Sequence, residues 1–237
     1  QELLFFLKNR AVKCVFIKHA GAILEKNATF APRNGDIREI LKIERVILNL
    51  IGRMSGVATF TRKIVKKAHA ENPKVLITPT RKTLWGLLDK RACVLGGAGT
   101  HRLGLDDAVL IKDNHLNAAG EKNIKNILLS FNQLRKKIRF IEIEVESTKD
   151  AVLAAHSFLQ RHPPFIIMFD NMKPLAIINA IRILKEQGLR KSIKLEASGS
   201  ICENNIREYA KTGVDIISVG YITHSAPMRD VSLEIKL

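Results

Sequence analysis

The sequence has few of the features that mark a disulfide-rich, zinc-binding or membrane protein. Its three cysteines, Cys14, Cys93 and Cys202, lie far apart and lack disulfide pairing or metal-ligand spacing, which favours reduced thiols in a cytosolic compartment. No apolar run reaches the roughly 18 to 20 residues of a membrane span. Leu3 to Leu7 lacks the basic flank and cleavage site of a signal peptide. These absences predict a cytoplasmic protein without membrane attachment.

Aromatic and acidic residues are also scarce. Aromatics make up 5% of the chain, and 23 acidic residues face 39 basic ones, which gives a formal net charge of +16. Such a charge favours anionic partners, among them phosphates, carboxylates, nucleic acid or an acidic surface. The 237 residues, 46% of them hydrophobic, can bury a full core as one large domain or as a domain with a smaller piece.

The first part of the chain is mostly helical in its pattern. It begins at Gln1 within a predicted helix over about 2 to 9, so we expect the natural polypeptide to start earlier. Two short strands are predicted next, at Val12–Lys18 and Ala28–Ala31. A long helical region follows, with Asp36 as its first cap. We expect Gly52 and Gly56 to interrupt it before a basic amphipathic helix that ends near Asn72-Pro73.

From residue 73 onward, short apolar runs alternate with helix-length segments. The predicted strands are Val75–Ile77, Ala92–Leu95, Ala108–Ile111, Phe140–Val145, Phe165–Phe169, Ile193–Leu195 and Ile216–Val219; the predicted helices cover about 121–136, 148–161, 174–187 and 203–212. This alternation predicts an α/β fold with a parallel sheet. Polar clusters follow six of the runs. Because ligands bind at the carboxyl ends of parallel strands in barrels and open sheets alike, the clusters predict one shared site.

The basic side chains of these clusters predict a small anionic substrate. They are Arg81, Lys82, His101, Arg102 and Lys112. Arginine offers a two-pronged fork for a carboxylate, and each charge-assisted hydrogen bond contributes roughly 1.5 to 3 kcal/mol. An isolated pair such as Arg81-Lys82 could also be a solvated loop, but its position directly after a strand and Pro79 favours a functional role.

Carboxylates and glycines supply the other half of the predicted site. Glu142, Glu144 and Glu146 alternate along one strand face, and Asp170 ends another strand; together they suit a hydrated Mg²⁺. The glutamates taken alone are more typical of the solvated face of an edge strand. Ser198-Gly199-Ser200 and Gly220 lie in the last two loops after strands, where such folds commonly bind a phosphate.

In combination, these motifs resemble one known family. They are Glu44-Arg45, Leu48-Asn49, Arg53-Met54-Ser55-Gly56-Val57-Ala58-Thr59, Thr80-Arg81-Lys82-Thr83, Gly96-Gly97, His101-Arg102, Leu110-Ile111-Lys112-Asp113-Asn114-His115, Glu142-Ile143-Glu144-Val145 and Thr223-His224-Ser225. In this order the chain resembles quinolinate phosphoribosyltransferase, also called nicotinate-nucleotide pyrophosphorylase (carboxylating). The match runs from about residue 35 to 225, and Glu2 to Arg38 resembles the later part of that family's amino-terminal domain.

The resemblance implies an incomplete α/β barrel of six or seven strands with a truncated amino-terminal α/β sandwich. On this basis we assign 1–57 to the partial sandwich and linking helix, which 228–237 could rejoin, and 58–227 to the barrel. The resemblance also implies a homodimer or a dimer-based oligomer. In that arrangement Arg45 contributes to the site of the partner subunit.

The resemblance implies a reaction as well. Quinolinate and phosphoribosyl pyrophosphate give nicotinate mononucleotide, pyrophosphate and CO₂ with Mg²⁺, a step of NAD biosynthesis. Lys112, Glu144 and Asp170 are the expected catalytic residues, and the last two face the ribose and the metal. The quinolinate carboxylates would bind Arg81, Lys82, His101, Arg102 and Lys112, and the phosphoribosyl phosphate would bind Ser198, Gly199, Gly220 and His224.

Two alternatives remain on the sequence alone. An enzyme of the same fold could act on another anionic aromatic acid, although the retention of Arg81, Arg102 and Lys112 favours quinolinate. A basic nucleic-acid-binding protein would explain the charge through phosphate contacts. The scarcity of aromatics and the lack of a recognised binding motif argue against it.

Overall fold

The structure of the chain is a computed structural model. It describes residues 13–14, 18–29, 33–34, 36–118, 124–130, 138–158 and 164–235. The helix predicted over about 2–9 and most of the predicted strand Val12–Lys18 lie outside these residues. In the described part before residue 36, Lys13–Cys14 (β1) pairs antiparallel with Arg33–Asn34 (β2). The sandwich therefore stays a prediction.

A six-stranded parallel sheet forms the main layer of the fold. Its strands are Leu76–Thr78 (β3), Val109–Ile111 (β4), Ile141–Val145 (β5), Phe165–Asp170 (β6), Lys194–Ser198 (β7) and Ile216–Ser218 (β8). They lie in the order β3-β8-β7-β6-β5-β4, and every neighbouring pair is parallel. Since β3 and β4 are unpaired with each other in the described residues, the barrel is incomplete, as predicted.

Eight α-helices connect and cover the strands in the described part of the chain. They are Ile37–His69 (α1), Leu87–Leu95 (α2), Asp113–Ala118 (α3), Ile124–Ser130 (α4), Thr148–Ser157 (α5), Pro174–Glu186 (α6), Ile206–Ala210 (α7) and Tyr221–His224 (α8). A 3₁₀ turn over Arg190–Ser192 precedes β7. Buried Phe165, Ile167 and Phe169 of β6 and Ile141 and Ile143 of β5 lie at the centre of the core.

Helix α1 is one continuous helix, which corrects the predicted interruption at Gly52 and Gly56. Its first turn is capped by Asp36, whose side chain accepts from the amide of Arg38. An added Cβ at Gly52 would lie 2.6 Å from the carbonyl oxygen of Arg229, and one at Gly56 would lie 2.1 Å from that of Pro227. The glycines therefore permit close packing of a chain segment against the helix and do not break it.

The predicted strand Ala92–Leu95 is wrong, because these residues form the end of α2. Short apolar runs cannot be assigned to helix or strand by periodicity alone. Asp89, Ala92 and Cys93 are all buried, a helical spacing, and α2 packs against α1. The sheet consequently has six strands, the lower of the two predicted numbers.

The described helices include none that is long and apolar enough to cross a membrane. Cys93 and Cys202 are both free thiols.

Candidate active site

Most of the predicted site residues lie in, end or follow the strands at one edge of the sheet, which we call the carboxyl edge. Arg81 and Lys82 follow β3, Lys112 follows β4, Glu144 lies in β5, Asp170 and Ser198 end β6 and β7, and Gly199, Gly220 and His224 lie just beyond β7 and β8. His101 and Arg102 come from the segment between α2 and β4. Parallel strands present their ends on the same side, so residues far apart in sequence share this edge.

Lys112 and Glu144 form a close ion pair at the carboxyl edge. The Nζ atom of Lys112 lies 2.5 Å from Oε1 of Glu144, and Glu144 is partly buried on a strand inside the sheet. Burial raises the pKa of Glu144 and nearby Asp170 raises it further, while the hydrogen bond from Lys112 lowers it. Lys112 and Asp170 are therefore both close enough to Glu144 to influence its charge.

Arg102 is buried beside Lys90, a cation that no sequence motif singles out. The Nζ atom of Lys90, on α2, donates to the carbonyl oxygen of Thr100 at 2.7 Å and also to that of Arg102. Burial lowers the pKa of Lys90 to about 8. Burial also lowers the pKa of Arg102, with the charge of Arg81 as the next cause. Lys90 thus fixes the loop that carries His101 and Arg102.

No local signal distinguishes Lys90 in the sequence, where Lys90-Arg91 has the pattern of a solvated pair. In the structure Lys90 is 3% exposed. It lines a depression of about 260 Å³ together with Arg81, Thr83, Gly86, Leu87 and Leu103. The depression adjoins the predicted binding site for the substrate's acid groups.

His101 is part of a buried cluster with two glutamates, which we call the His101 cluster. Its Nε2 atom hydrogen-bonds Oε2 of Glu196 at 3.2 Å and lies 3.2 Å from Oε2 of Glu142. Both glutamates are fully buried. Burial of the imidazole opposes its charged form, but the two carboxylates outweigh burial and raise the pKa of His101 to about 10.

The three alternating glutamates of the sequence have three different environments. Glu142 is fully buried, Glu144 is partly buried, and Glu146 is exposed just beyond β5. The alternative interpretation, the solvated face of an edge strand, is therefore wrong, because β5 lies between β4 and β6. Burial and the neighbouring Glu196 raise the pKa of Glu142. Glu196 was missed because its sequence neighbours give no sign that it faces the barrel interior.

The loops after β6 and β7 interlock at the predicted phosphate end. The amide of Asn171 donates to the carbonyl oxygen of Ser198 at 3.0 Å. Gly199 has φ +92°, and a Cβ there would lie 2.3 Å from Oδ1 of Asn171. Asn171 and Ser200 also have positive φ values, of 51° and 50°. Backbone in such sparsely populated conformations is concentrated at functional sites.

The turn after β8 packs against the loop after β3. Thr223 donates through Oγ1 to the carbonyl oxygen of Lys82 at 2.8 Å, and Thr80 accepts from the amide of Lys82. A Cβ on Gly220 would lie 3.2 Å from Oγ1 of Thr80. These contacts join the predicted acid-binding loop to the predicted phosphate-binding turn. His224, at the end of this turn, lies 2.7 Å through Nδ1 from Oγ of Ser225.

A buried ion pair supports both of these loops, and we call it the Arg53–Asp89 pair. Two parallel hydrogen bonds of 2.9 and 2.8 Å join the guanidinium to the carboxylate. Arg53 also donates to the carbonyl oxygen of Thr223, while Asp89 accepts from the amides of Leu84 and Trp85. In the sequence, Arg53 begins one of the motifs that carry the family resemblance, but the motif by itself gives no role for this residue.

Arg45 lies apart from the carboxyl edge of its own chain. It is exposed on α1 and lines a surface depression of about 260 Å³ with Leu48, Asn49 and the segment from Met228 to Val231. Leu41 and Val46, on neighbouring turns of α1, are 53% and 60% exposed. This position fits a residue that acts outside its own site.

Comparison with known proteins finds one family throughout. The profile described as "Quinolinate phosphoribosyl transferase, C-terminal domain" matches residues 57–234. A probable nicotinate-nucleotide pyrophosphorylase (carboxylating) of Methanothermobacter thermautotrophicus is 44% identical over 207 residues, which are 85% of this chain and 71% of that protein. Its counterpart in Methanocaldococcus jannaschii is 40% identical over 237 residues, or 97% of this chain and 79% of that protein.

Solved structures give the same result. The nicotinate-nucleotide pyrophosphorylase of Ehrlichia chaffeensis superposes with a TM-score of 0.84 at 34% identity, covering 99% of this chain and 81% of that chain. The enzyme from Francisella tularensis superposes with a TM-score of 0.83 at 33% identity, covering 98% of this chain and 77% of that chain.

Proposed function

Because the chain belongs to the quinolinate phosphoribosyltransferase family, we propose that it transfers phosphoribose from phosphoribosyl pyrophosphate to quinolinate and releases CO₂. The products are nicotinate mononucleotide and pyrophosphate, within NAD biosynthesis. The observation that carries the proposal is the distribution of side chains along the carboxyl edge. Basic residues follow the two outer strands β3 and β4, carboxylates lie on β5 and β6, and glycine-containing loops follow β7 and β8.

The basic side chains suit the two adjacent carboxylates of quinolinate. Arg81, Arg102 and Lys112 supply cations, with Lys82 and His101 beside them. Lys90 holds the backbone that carries Arg102, so this loop does not have to be ordered when the substrate binds. Such preorganisation saves conformational entropy and places the ring nitrogen near the ribose carbon that it attacks.

The carboxylates of Glu144 and Asp170 lie on β5 and β6, between β4 and the strands β7 and β8 that carry the glycine-containing loops. Negative charge there stabilises the positive charge that develops on the ribose as pyrophosphate leaves. When CO₂ is lost, the electron pair left on the ring carbon is stabilised by the ribosylated nitrogen and by the cations around the ring, and a proton from solvent then replaces the carboxylate. No covalent bond to the protein is needed.

Mg²⁺ is the proposed cofactor, and its donor set fits this site. Hydrated Mg²⁺ is commonly held by one or two carboxylates together with substrate phosphates. Glu144 and Asp170 provide such a pair from the neighbouring strands β5 and β6. When bound, the ion would neutralise oxygens of the pyrophosphate leaving group.

A cytoplasmic homodimer completes the proposal. The exposed position of Arg45 beside exposed Leu41 and Val46 supports a role in the site of the partner subunit. The free thiols Cys93 and Cys202 fit a reducing compartment.

The test of the activity is the formation of nicotinate mononucleotide from quinolinate, phosphoribosyl pyrophosphate and Mg²⁺. We expect Arg102→Ala to lower kcat/KM for quinolinate by about 100-fold, since it removes two charge-assisted hydrogen bonds of roughly 1.5 kcal/mol each. Arg182→Ala is the matched control, because Arg182 is exposed on α6 and pairs with Glu186. A folded wild-type protein that makes no product would contradict the proposal.

The shared site is tested by mixing two inactive variants. Each proposed site uses Arg102 of one subunit and Arg45 of the other. In a mixed dimer of Arg45→Ala and Arg102→Ala subunits, one of the two sites therefore keeps both arginines. Random pairing should restore about a quarter of the wild-type activity. Mixtures that form mixed dimers without regaining activity would refute the contribution of Arg45 to the partner.

A further inference from the structure

The His101 cluster contains two carboxylates for one imidazole, all in the interior of the incomplete barrel. Glu196 comes from β7 and Glu142 from β5, so the two strands on either side of β6 aim these side chains at the same ring. Both oxygens of Glu142 and Oε1 of Glu196 are buried without a hydrogen-bond partner among the described residues. Such groups are costly to bury, which points to a role other than stability.

The distances decide which nitrogen of His101 carries the inward hydrogen. Nε2 lies 3.2 Å from one oxygen of each carboxylate. The hydrogen bond to Glu196 makes Nε2 the donor, because a carboxylate oxygen can only accept. The ring nitrogen Nδ1 is then the remaining polar atom of the imidazole.

The rest of the environment also restricts the ring. The ring of Phe140 packs against it in a T-shaped arrangement with a centroid distance of 5.4 Å. The backbone of His101 has φ +53°, a left-handed conformation that is unfavourable for this residue, and Lys90 holds the carbonyl groups on both sides of it. The His101 side chain is only 8% exposed. The loop, the aromatic ring and the carboxylates together leave the imidazole little freedom.

The charges near the cluster place it beside the substrate's acid groups. Arg102 interacts electrostatically with Glu142 and Glu144, and Arg81 lies close enough to affect Arg102. Lys112 pairs with Glu144, which lies two residues beyond Glu142 on β5 and therefore faces the same side of the sheet. The cluster therefore lies behind the cations that we propose to bind quinolinate.

We infer that Glu196 and Glu142 are positioning residues, which hold His101 by Nε2 so that Nδ1 binds a carboxylate of the substrate. The inference rests on the proposed function for the identity of that substrate. The same carboxylates favour the imidazolium, in which Nδ1 donates to an anion; a neutral ring with a bare Nδ1 would repel it. Glu196 and Glu142 thereby act on substrate binding through His101.

The first experiment measures the imidazole nitrogens of His101 by ¹⁵N NMR in the free wild-type protein, with His101→Gln to assign the signals. We expect a protonated Nε2 at neutral pH. In the double variant Glu142→Gln/Glu196→Gln, we expect the signals to move toward those of a neutral ring. This measurement does not depend on catalysis, so it separates failure of the inference from failure of the proposed function.

The second experiment is a double-mutant cycle on the KM values. Glu196→Gln preserves shape, and we expect it to raise KM for quinolinate about tenfold, because a charge-assisted contact becomes a neutral one. KM for phosphoribosyl pyrophosphate should stay unchanged. In the His101→Gln background, Glu196→Gln should have little further effect, since its target is absent. Glu186→Gln, on the exposed face of α6, is the matched control.

Three results would overturn the inference. One is an unprotonated Nε2 in the wild-type protein. Another is additivity of the two substitutions, which would give Glu196 a merely structural effect. The third is a stoichiometric metal ion, found by elemental analysis and lost in Glu196→Gln, because a ligated Nε2 cannot carry a hydrogen. A wild-type protein with the expected NMR signals but no product would contradict the proposed function instead.

Discussion

The Arg53–Asp89 pair and the His101 cluster are both buried charged groups, but they differ in how their polar atoms are satisfied. The carboxylate of Asp89 accepts from one guanidinium and two backbone amides. In the His101 cluster, a single ring nitrogen hydrogen-bonds Glu196 and lies 3.2 Å from Glu142, and three carboxylate oxygens lack a hydrogen-bond partner in the described chain. The first arrangement suits structural support, and the second suits a site that has to act on a ligand.

The two clusters also differ in what they join. The Arg53–Asp89 pair links α1 and α2 to the turns around Thr223 and Trp85, so it braces loops from outside the barrel. The His101 cluster joins a loop to β5 and β7 inside it. Buried charge alone therefore does not identify a functional residue, and the count of unsatisfied atoms separates the two cases.

The largest expected effect comes from breaking the well-satisfied pair. Asp89→Ala should lower the free energy of unfolding by about 3 to 5 kcal/mol, because it leaves the charge of Arg53 buried without its partner. Urea unfolding measures the change. Glu186→Ala, which breaks the exposed pair with Arg182, should cost only about 0.3 to 0.5 kcal/mol. Equal losses in the two variants would contradict the structural role of Asp89.

A smaller effect is expected from His101→Gln. The difference in unfolding free energy between wild type and this variant should change by on the order of a few kcal/mol over the pH range. Its pKa is about 10 in the folded protein against an ordinary value of 6.5, so the folded state binds more protons between these limits. The stabilisation by His101 is complete below pH 6.5 and is lost as the pH rises toward 10. Urea unfolding at several pH values should show the advantage of wild type over His101→Gln shrinking across this window. A constant difference would disprove the charged cluster.

The smallest effect is expected from Lys90→Met, which should lower the free energy of unfolding by about 1 to 2 kcal/mol at neutral pH. The substitution removes two hydrogen bonds, but it also removes a buried charge that is costly to the folded state. Its pH dependence has the opposite sign. The pKa of Lys90 is lowered from 10.5 to about 8, so the unfolded state binds more protons between these values. Unfolding free energies should therefore favour wild type over Lys90→Met increasingly from pH 8 to 10.5. If the stability advantage of wild type over His101→Gln and over Lys90→Met changed in the same direction with pH, one of the two pKa assignments would be wrong.

Much of the fold was predictable because strand and helix patterns are local. The run around Ile167 is continuous and apolar, as in a buried parallel strand, while the runs around Ile143 and Leu195 alternate apolar and charged residues; all three became strands of the sheet. Ala92–Leu95 is also a continuous apolar run but forms a helix, since its buried positions face α1. A short apolar run does not reveal which neighbour will cover it.

The candidate site was predictable to a similar extent. Lys112, Asp170 and Ser198 directly follow or end strands, so their place at the carboxyl edge could be deduced from the chain order. Glu196 and Lys90 could not be found in this way, because their partners are distant in sequence. Their importance depends on which side chains and carbonyl groups the fold brings to them.

The sequence by itself determined that the protein is α/β, that polar residues collect where strands end, and which family it belongs to. These properties follow from local hydrophobic patterns and ordered motifs. The tertiary structure alone decided that Glu142 is buried while Glu146 is exposed, and that Glu142 and Glu196 share one histidine. Burial and pairing of this kind depend on strand order and on the side of the barrel that each residue faces, which no local pattern specifies.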